Sequence, residues 1–195
     1  LQAAFENNKS QLILEGANTQ FNQYGFRKTS LEDIARAVGI SRTSLYSYFP
    51  NKDAIFRAVS QEVHERALAE AKHVLNGKED IELRVEAALL ARHAPFHEMQ
   101  ATSPHGLELH DEYSRLCGDI VTDSQTRFEA MLVGAIKRAA RSGSIDLKRA
   151  GVSSAEIAST LNLASAGQKR GAKNSVEFAI RINCLVRIAF AGLSA

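Results

Sequence analysis

The chain has 195 residues, enough for one or two modest cores and too few for many domains. Hydrophobic residues make up 45% and charged residues 24%, the balance of a globular protein in water. No apolar run is long enough to cross a bilayer and no signal peptide is expected, which removes a membrane from the expected partners and points to the cytoplasm. A net charge of only +2 makes no whole-chain case for nucleic acid, but the charge is unevenly spread. Between Tyr24 and Lys52, the residues Arg27, Lys28, Arg36, Arg42 and Lys52 outnumber Glu32 and Asp33 by three, a local basic patch. Cys117 and Cys184 stand far apart, with no CxxC pair and no disulfide framework, and read as free thiols.

The first quarter reads as short helices with strong punctuation. Leu14, Ala17 and Phe21 follow a helical period beside Ile13, and Gly25 ends that helix, with Phe26 placed for the contact that accompanies a left-handed cap. Thr29 or Ser30 caps the second helix, with Glu32 and Asp33 three residues beyond them, and Leu31, Ile34, Ala35 and Val38 form its apolar face. Gly39 stops it. Ser41 caps a third short helix carrying Leu45 and Phe49, and Pro50-Asn51 ends that one and starts a fourth. From there the pattern lengthens: Ile55, Val59 and Val63 recur every four residues toward Leu75, and Asn76-Gly77 is the stop. A second long amphipathic stretch covers 81–99, a shorter one follows Pro104, and a long helix covers 112–141. Two final helices cover about 153–168 and 175–192. Strand alternation is absent, so the expected class is all-α with about nine helices.

Residues 31–49 carry the functional signal. Two helices crossing steeply through a short turn need a small side chain where they touch, which Ala35 supplies. They also need a turn residue tolerant of positive φ, which Gly39 supplies. Ile34, Ile40 and Leu45 then fill the shared core, leaving Arg42, Thr43, Ser44, Tyr46, Ser47 and Tyr48 largely outward. That set suits a DNA major groove, where arginine reads guanine and serine or threonine serves base or phosphate. On spacing alone, a purely structural helical corner is also compatible.

Residues 21–56 read FNQYGFRKTSLEDIARAVGISRTSLYSYFPNKDAIF, and this segment resembles the N-terminal domain of the tetracycline-repressor (TetR) family of bacterial regulators. The matching elements are Gly25-Phe26, Thr29-Ser30, Asp33-Ile34-Ala35, Gly39-Ile40-Ser41, Leu45-Tyr46, Tyr48-Phe49 and Lys52. The resemblance implies a helix-turn-helix DNA-binding domain over 1–52 and a helical effector-binding and dimerisation domain over 53–195. It implies phosphate contacts from Thr29, Ser30, Ser41, Tyr46 and Tyr48, base contacts from Arg42, Thr43 and Ser44, and a backbone clamp at Lys52. The implied partners are double-stranded DNA carrying a palindromic operator, a second copy of the chain, and a small-molecule effector. The implied role is a repressor released by that effector, with neither catalysis nor a cofactor.

For the last two helices the resemblance implies a four-helix bundle with a second subunit. Ile157, Leu161, Ala164, Ile180, Leu185 and Ile188 are the expected interface. A pocket for a small apolar effector is expected among Phe96, His97, Met99, His110, Tyr113, Leu116, Cys117, Phe128 and Met131. The stretch from 93 to 117 also holds His93, His97, His105 and His110 of the six histidines, the one foothold for a metal sensor or an all-α enzyme. No complete metal-ligand signature, nucleophile elbow, phosphate loop or acid–base pair accompanies them, so no metal is expected.

Overall fold

A computed structural model describes residues 2–169 and 172–193, and the side chains of these except 2–7 and 94–102. Among the described residues the secondary structure is helical, in the order α1 (Gln2–Tyr24), α2 (Leu31–Ala37), α3 (Arg42–Tyr48), α4 (Lys52–Leu75), α5 (Ile81–Thr102), α6 (Gly106–Leu116), α7 (Gly118–Arg141), α8 (Leu147–Ala150), α9 (Ser154–Gln168) and α10 (Ser175–Ala191). The all-α expectation holds. There is one helix more than expected, the short α8 that Asp146 caps, and the helix expected over 112–141 starts only at Gly118, because the chain breaks at Cys117, whose φ of −125° and ψ of 14° are not helical. Arg57 from α4 donates to the Leu116 carbonyl at that break and pairs with Asp119 just beyond it at 2.7 Å and 2.8 Å. This hydrogen bonding pulls the Asp119 carboxyl down to about 2. A helix terminus leaves its last carbonyls unsatisfied, and here a guanidinium takes one of them.

The chain forms two compact units, one of Leu1–Val63 with Met99–Val121, the other of His64–Glu98 with Thr122–Ala195. The boundary expected at 52/53 is displaced, and the physical reason lies in the first unit's core. Ile13, Ala17 and Phe21 of α1, Ile34 and Ala35 of α2, and Leu45 of α3 pack with Ile55, Phe56 and Val59 of α4, and with Leu109, Cys117 and Ile120 from the later segment. Phe21, Phe26 and Phe56 stack edge-on or tilted at 5.0–5.5 Å between ring centres, and Tyr113 adds a fourth ring 4.9 Å from Phe56. The three-helix corner therefore does not close on its own: α6 and the first half of α4 complete it.

The second unit's core joins Leu68, Ala71 and Leu75 of α4, Val85, Ala88 and Leu89 of α5, Phe128, Leu132 and Ile136 of α7, Ala158 and Leu161 of α9, and Phe178, Ile182, Val186 and Phe190 of α10. Caps set its last two helices. Ser153 and Glu156 form a reciprocal capping box on α9, and Asn174 accepts from the Glu177 N–H on α10.

The turn between α2 and α3 is built as the sequence reading requires. Gly39 has φ +70°, and a Cβ placed there would meet nothing within 4 Å. Gly39→Ala therefore costs only the left-handed backbone, about 1–2 kcal/mol. A denaturant midpoint for Gly39→Ala equal to wild type would contradict that reading of the turn.

Candidate nucleic-acid interface

The corner of α2 and α3 rests on a fully buried Leu45, with Ile34 and Ala35 behind it. Ser41 adopts extended backbone and accepts from the Ser44 N–H at 3.1 Å, so it caps α3. With Leu45 turned inward, Arg42, Thr43, Tyr46 and Ser47 are exposed on the other face, and Ser44 and Tyr48 are half-buried. Tyr48 also packs against the first unit's core. The Arg42 guanidinium lies 5.5 Å from the centre of the Tyr46 ring and donates from Nη2 to its hydroxyl at 3.1 Å. That contact holds a five-donor fork in one orientation at the exposed surface.

Two of the expected phosphate contacts have other work. Thr29 is buried, and its hydroxyl donates to the Gly25 carbonyl at 2.7 Å, tying the α1–α2 turn rather than facing solvent. Lys52 Nζ donates to the carbonyls of Phe26 at 2.7 Å and Thr29 at 2.9 Å and sits 4.3 Å from the Phe26 ring centre. Burial among these groups lowers its pKa against the opposing pull of Asp53, Glu112 and Glu108. A cation that satisfies two loop carbonyls is a structural cap of the α1–α2 loop. Lys52→Met is expected to lower stability by about 1–2 kcal/mol, with the slope of DNA affinity against salt unchanged. A slope smaller by about one counterion would restore the phosphate clamp. Ser30 is exposed, but its hydroxyl and backbone N–H are engaged with Asp33 at 2.6 Å and 3.0 Å, the capping box the sequence suggested. Those bonds lower the Asp33 pKa.

The same loop has a second anchor that sequence reasoning missed. Glu108 accepts from the Arg27 N–H at 2.7 Å, and Glu112, although buried, accepts from Arg115 at 2.7 Å and from Arg27 at 3.4 Å. Gly25 has φ +85°, a conformation that favours glycine, and a Cβ there would lie 2.7 Å from the Glu108 carboxylate and push it aside. The available signal was the four-residue spacing of two carboxylates on one face of α6.

The expected effector-pocket residues fall in different places. Tyr113, Leu116 and Cys117 pack in or against the first unit's core, while Phe128 is buried in the second unit's core and Met131 packs against it. His110 is exposed beside Asp111. Phe96, His97 and Met99 lie outside the described side chains. Of the other histidines, His105 lies 3.7 Å from Glu108, whereas His93 is buried in the second unit against Ser165 at 2.8 Å. Among the described residues no group of three or more His, Cys, Asp or Glu could hold a metal ion. No described helix is long and apolar enough to cross a membrane.

His64 is also buried, and burial together with Arg92 and Lys169 lowers its pKa to about 4, against a smaller opposing effect of Glu65. The same causes push His93 well below its ordinary value. Both rings are thus neutral when folded and take up protons more readily when unfolded, so their contribution is complete above pH ~6.5 and is lost as pH falls toward 4. The thermal midpoint should fall across that window, and a flat profile would contradict it.

The expected dimer face divides. Ile157 and Leu161 are buried within their own unit, so they are removed from the candidate interface; helical periodicity showed that they face inward to something but not to what. Ala164 is half-buried, and Leu185 packs against the core. Ile180 and Ile188 are 63% and 71% exposed, and Val176 at 67% and the exposed Cys184 continue the same four-residue stripe on α10. Leu163 on α9 is also exposed.

Comparison with known proteins fits this geometry. Residues 13–59 match the family described as bacterial regulatory proteins, tetR family. The transcriptional regulator RutR of Escherichia coli K12 is 42% identical over 64 residues, which are 33% of this chain and 30% of RutR, so the match spans under a third of that relative. A transcriptional regulator from Cytophaga hutchinsonii superposes with a TM-score of 0.81 over 96% of this chain and 99% of its own, at 18% identity. SmeT, the repressor of the SmeDEF multidrug efflux pump of Stenotrophomonas maltophilia, does so with a TM-score of 0.67 over 95% of this chain and 90% of its own, at 20% identity. At such identities the structural likeness is one of fold, and the sequence match lies in the helix-turn-helix. The likeness to the tetR family of bacterial regulatory proteins therefore lies in residues 13–59 and, beyond them, in the fold.

Proposed function

We propose that the protein is a homodimeric, cytoplasmic transcriptional repressor that binds a palindromic operator through α3 and leaves it when a small-molecule effector binds the second unit. The observation that carries this reading is the exposed face of α3, where Arg42 is held by Tyr46 above a buried Leu45. Arg42 reads a base edge, Thr43 and Ser44 serve a neighbouring base or phosphate, and Tyr46 and Tyr48 place hydroxyls toward the backbone. Ser41 remains at the start of α3 as cap and neighbour of the phosphates. The exposed apolar stripe of α10 supplies the second subunit, whose two-fold symmetry pairs the recognition helices with two half-sites. SmeT has been solved in complex with triclosan, and an effector of comparable size is proposed for this chain. The protein carries out no catalysis in this reading. Fluorescence anisotropy on its own promoter region tests it: the free protein should bind that DNA in preference to a scrambled duplex, and equal affinity for both would overturn the proposal.

A further inference from the structure

The α1–α2 loop is held more firmly than the joining of two helices requires. Thr29 Oγ donates to the Gly25 carbonyl at 2.7 Å, and Lys52 Nζ of α4 donates to the carbonyls of Phe26 at 2.7 Å and Thr29 at 2.9 Å. From α6, Glu108 accepts from the Arg27 N–H at 2.7 Å, and the buried Glu112 carboxylate lies 3.4 Å from the Arg27 guanidinium. The far end of the loop is fixed by the reciprocal bonds of Ser30 and Asp33 that cap α2. Elements α2, α4 and α6 of the first unit thus all hold one short loop, and residue 28 sits between two pinned neighbours.

Of the five cations from Tyr24 through Lys52, four are engaged within the protein. Arg27 turns to Glu112, Arg36 pairs with Glu32 at 3.6 Å and Asp33 at 3.4 Å, Arg42 is held by Tyr46, and Lys52 serves the loop carbonyls. Lys28 is the fifth. It is exposed, and among the described residues its ammonium has no hydrogen bond or ion pair. Its place in the chain matters as well. Lys28 leads through Thr29 to the N-cap Ser30 of α2, the first helix of the helix-turn-helix. In that motif the first helix crosses the DNA backbone while the second enters the groove. One unengaged cation on a pinned loop at that crossing offers charge, access and a backbone that loses little further freedom on docking.

We propose that Lys28 grips a phosphate of the DNA backbone beside the helix-turn-helix, in place of Thr29 and Lys52, which hold its loop instead. The inference rests on the DNA-binding reading proposed above and assigns a contact within it. Glu108 is then a positioning residue: it touches no DNA but fixes the Arg27 peptide, and with it the direction in which Lys28 leaves the chain. A lysine is a point charge on a flexible stem and a phosphate carries no sequence information. The contribution of Lys28 is therefore the same on every duplex and is screened by salt, whereas that of Arg42 depends on the base it meets.

The test uses the purified full chain and measures anisotropy of labelled promoter DNA and of a scrambled duplex between about 50 and 200 mM salt. Lys28→Gln should lower the slope of log affinity against log salt by about one per half-site. It should weaken both duplexes by the same factor and leave the choice of base as in wild type. Lys28 is exposed, so the unfolding midpoint should not move and a failure to fold does not enter. Lys28→Arg should restore the slope. Lys28→Gln should also cost less in a Glu108→Ala background than in wild type, the coupling that a positioning role requires; additive losses would remove Glu108 from that role. A slope unchanged in Lys28→Gln, or a loss confined to the promoter duplex, would overturn the phosphate contact while leaving DNA recognition standing. Conversely, a wild type that binds both duplexes equally would overturn the operator reading, while the slope on either duplex still decides the role of Lys28. A wild type that binds neither would overturn both.

Discussion

Arg42→Ala should weaken binding to the operator by roughly 10- to 100-fold and relax the choice of base at one position of each half-site. The magnitude follows from the geometry of the free protein. Arg42 is exposed, and its fork is held by the Tyr46 hydroxyl at 3.1 Å and lies over the Tyr46 ring, so little rotamer freedom is lost when it docks on a guanine edge. Tyr46→Phe keeps the ring and removes the hydroxyl, so it should produce the smaller loss of the two. Because Arg42 makes no contact with the buried core, the unfolding midpoint of Arg42→Ala should equal that of wild type. Competition anisotropy against single-base operator variants measures the effect, and unchanged discrimination at every position would remove Arg42 from the reading face.

The second large effect is expected at the other end of the chain. The pair Ile180→Glu and Ile188→Glu should convert the dimer to a monomer and reduce operator affinity by more than a hundredfold, since one recognition helix then holds only one half-site. Both side chains are exposed in the single chain, so glutamate there costs the fold nothing that packing supplies. In a dimer the two copies would together bring four buried carboxylates to one interface, which association cannot accommodate. Cys184 lies on the same stripe and is exposed, whereas Cys117 is buried. A bulky thiol reagent should therefore react slowly with wild type and rapidly with the double variant. Sedimentation of that variant as a dimer would place the interface elsewhere.

The sequence made the punctuation of the fold legible because caps and turns depend on single residues. Ser30, Ser41 and Ser153 cap helices, and Gly25 and Gly39 take positive φ, each where its chemistry predicts. Side-chain direction was less legible where two partners could satisfy one group. Thr29 and Lys52 were expected to face phosphates; the Gly25, Phe26 and Thr29 carbonyls left bare by the α1–α2 loop hold them instead. Periodicity marked Ile157 and Leu161 as facing a partner, but the same stripe serves an intramolecular core as well as an interface. The break at Cys117 escaped notice because no proline or turn dipeptide marks it; the hydrogen bond from Arg57 that accompanies it comes from a residue 59 positions away.

The central claim is that two copies of α3 read DNA as a symmetric pair, and selection of bound duplexes from a random pool tests it most directly. The account predicts an enriched palindrome whose half-site centres fall on successive major grooves, about 34–36 Å apart, with enrichment lost in Arg42→Ala. A pool that emerges with no common sequence, or with a single asymmetric site bound by a monomer, would contradict it.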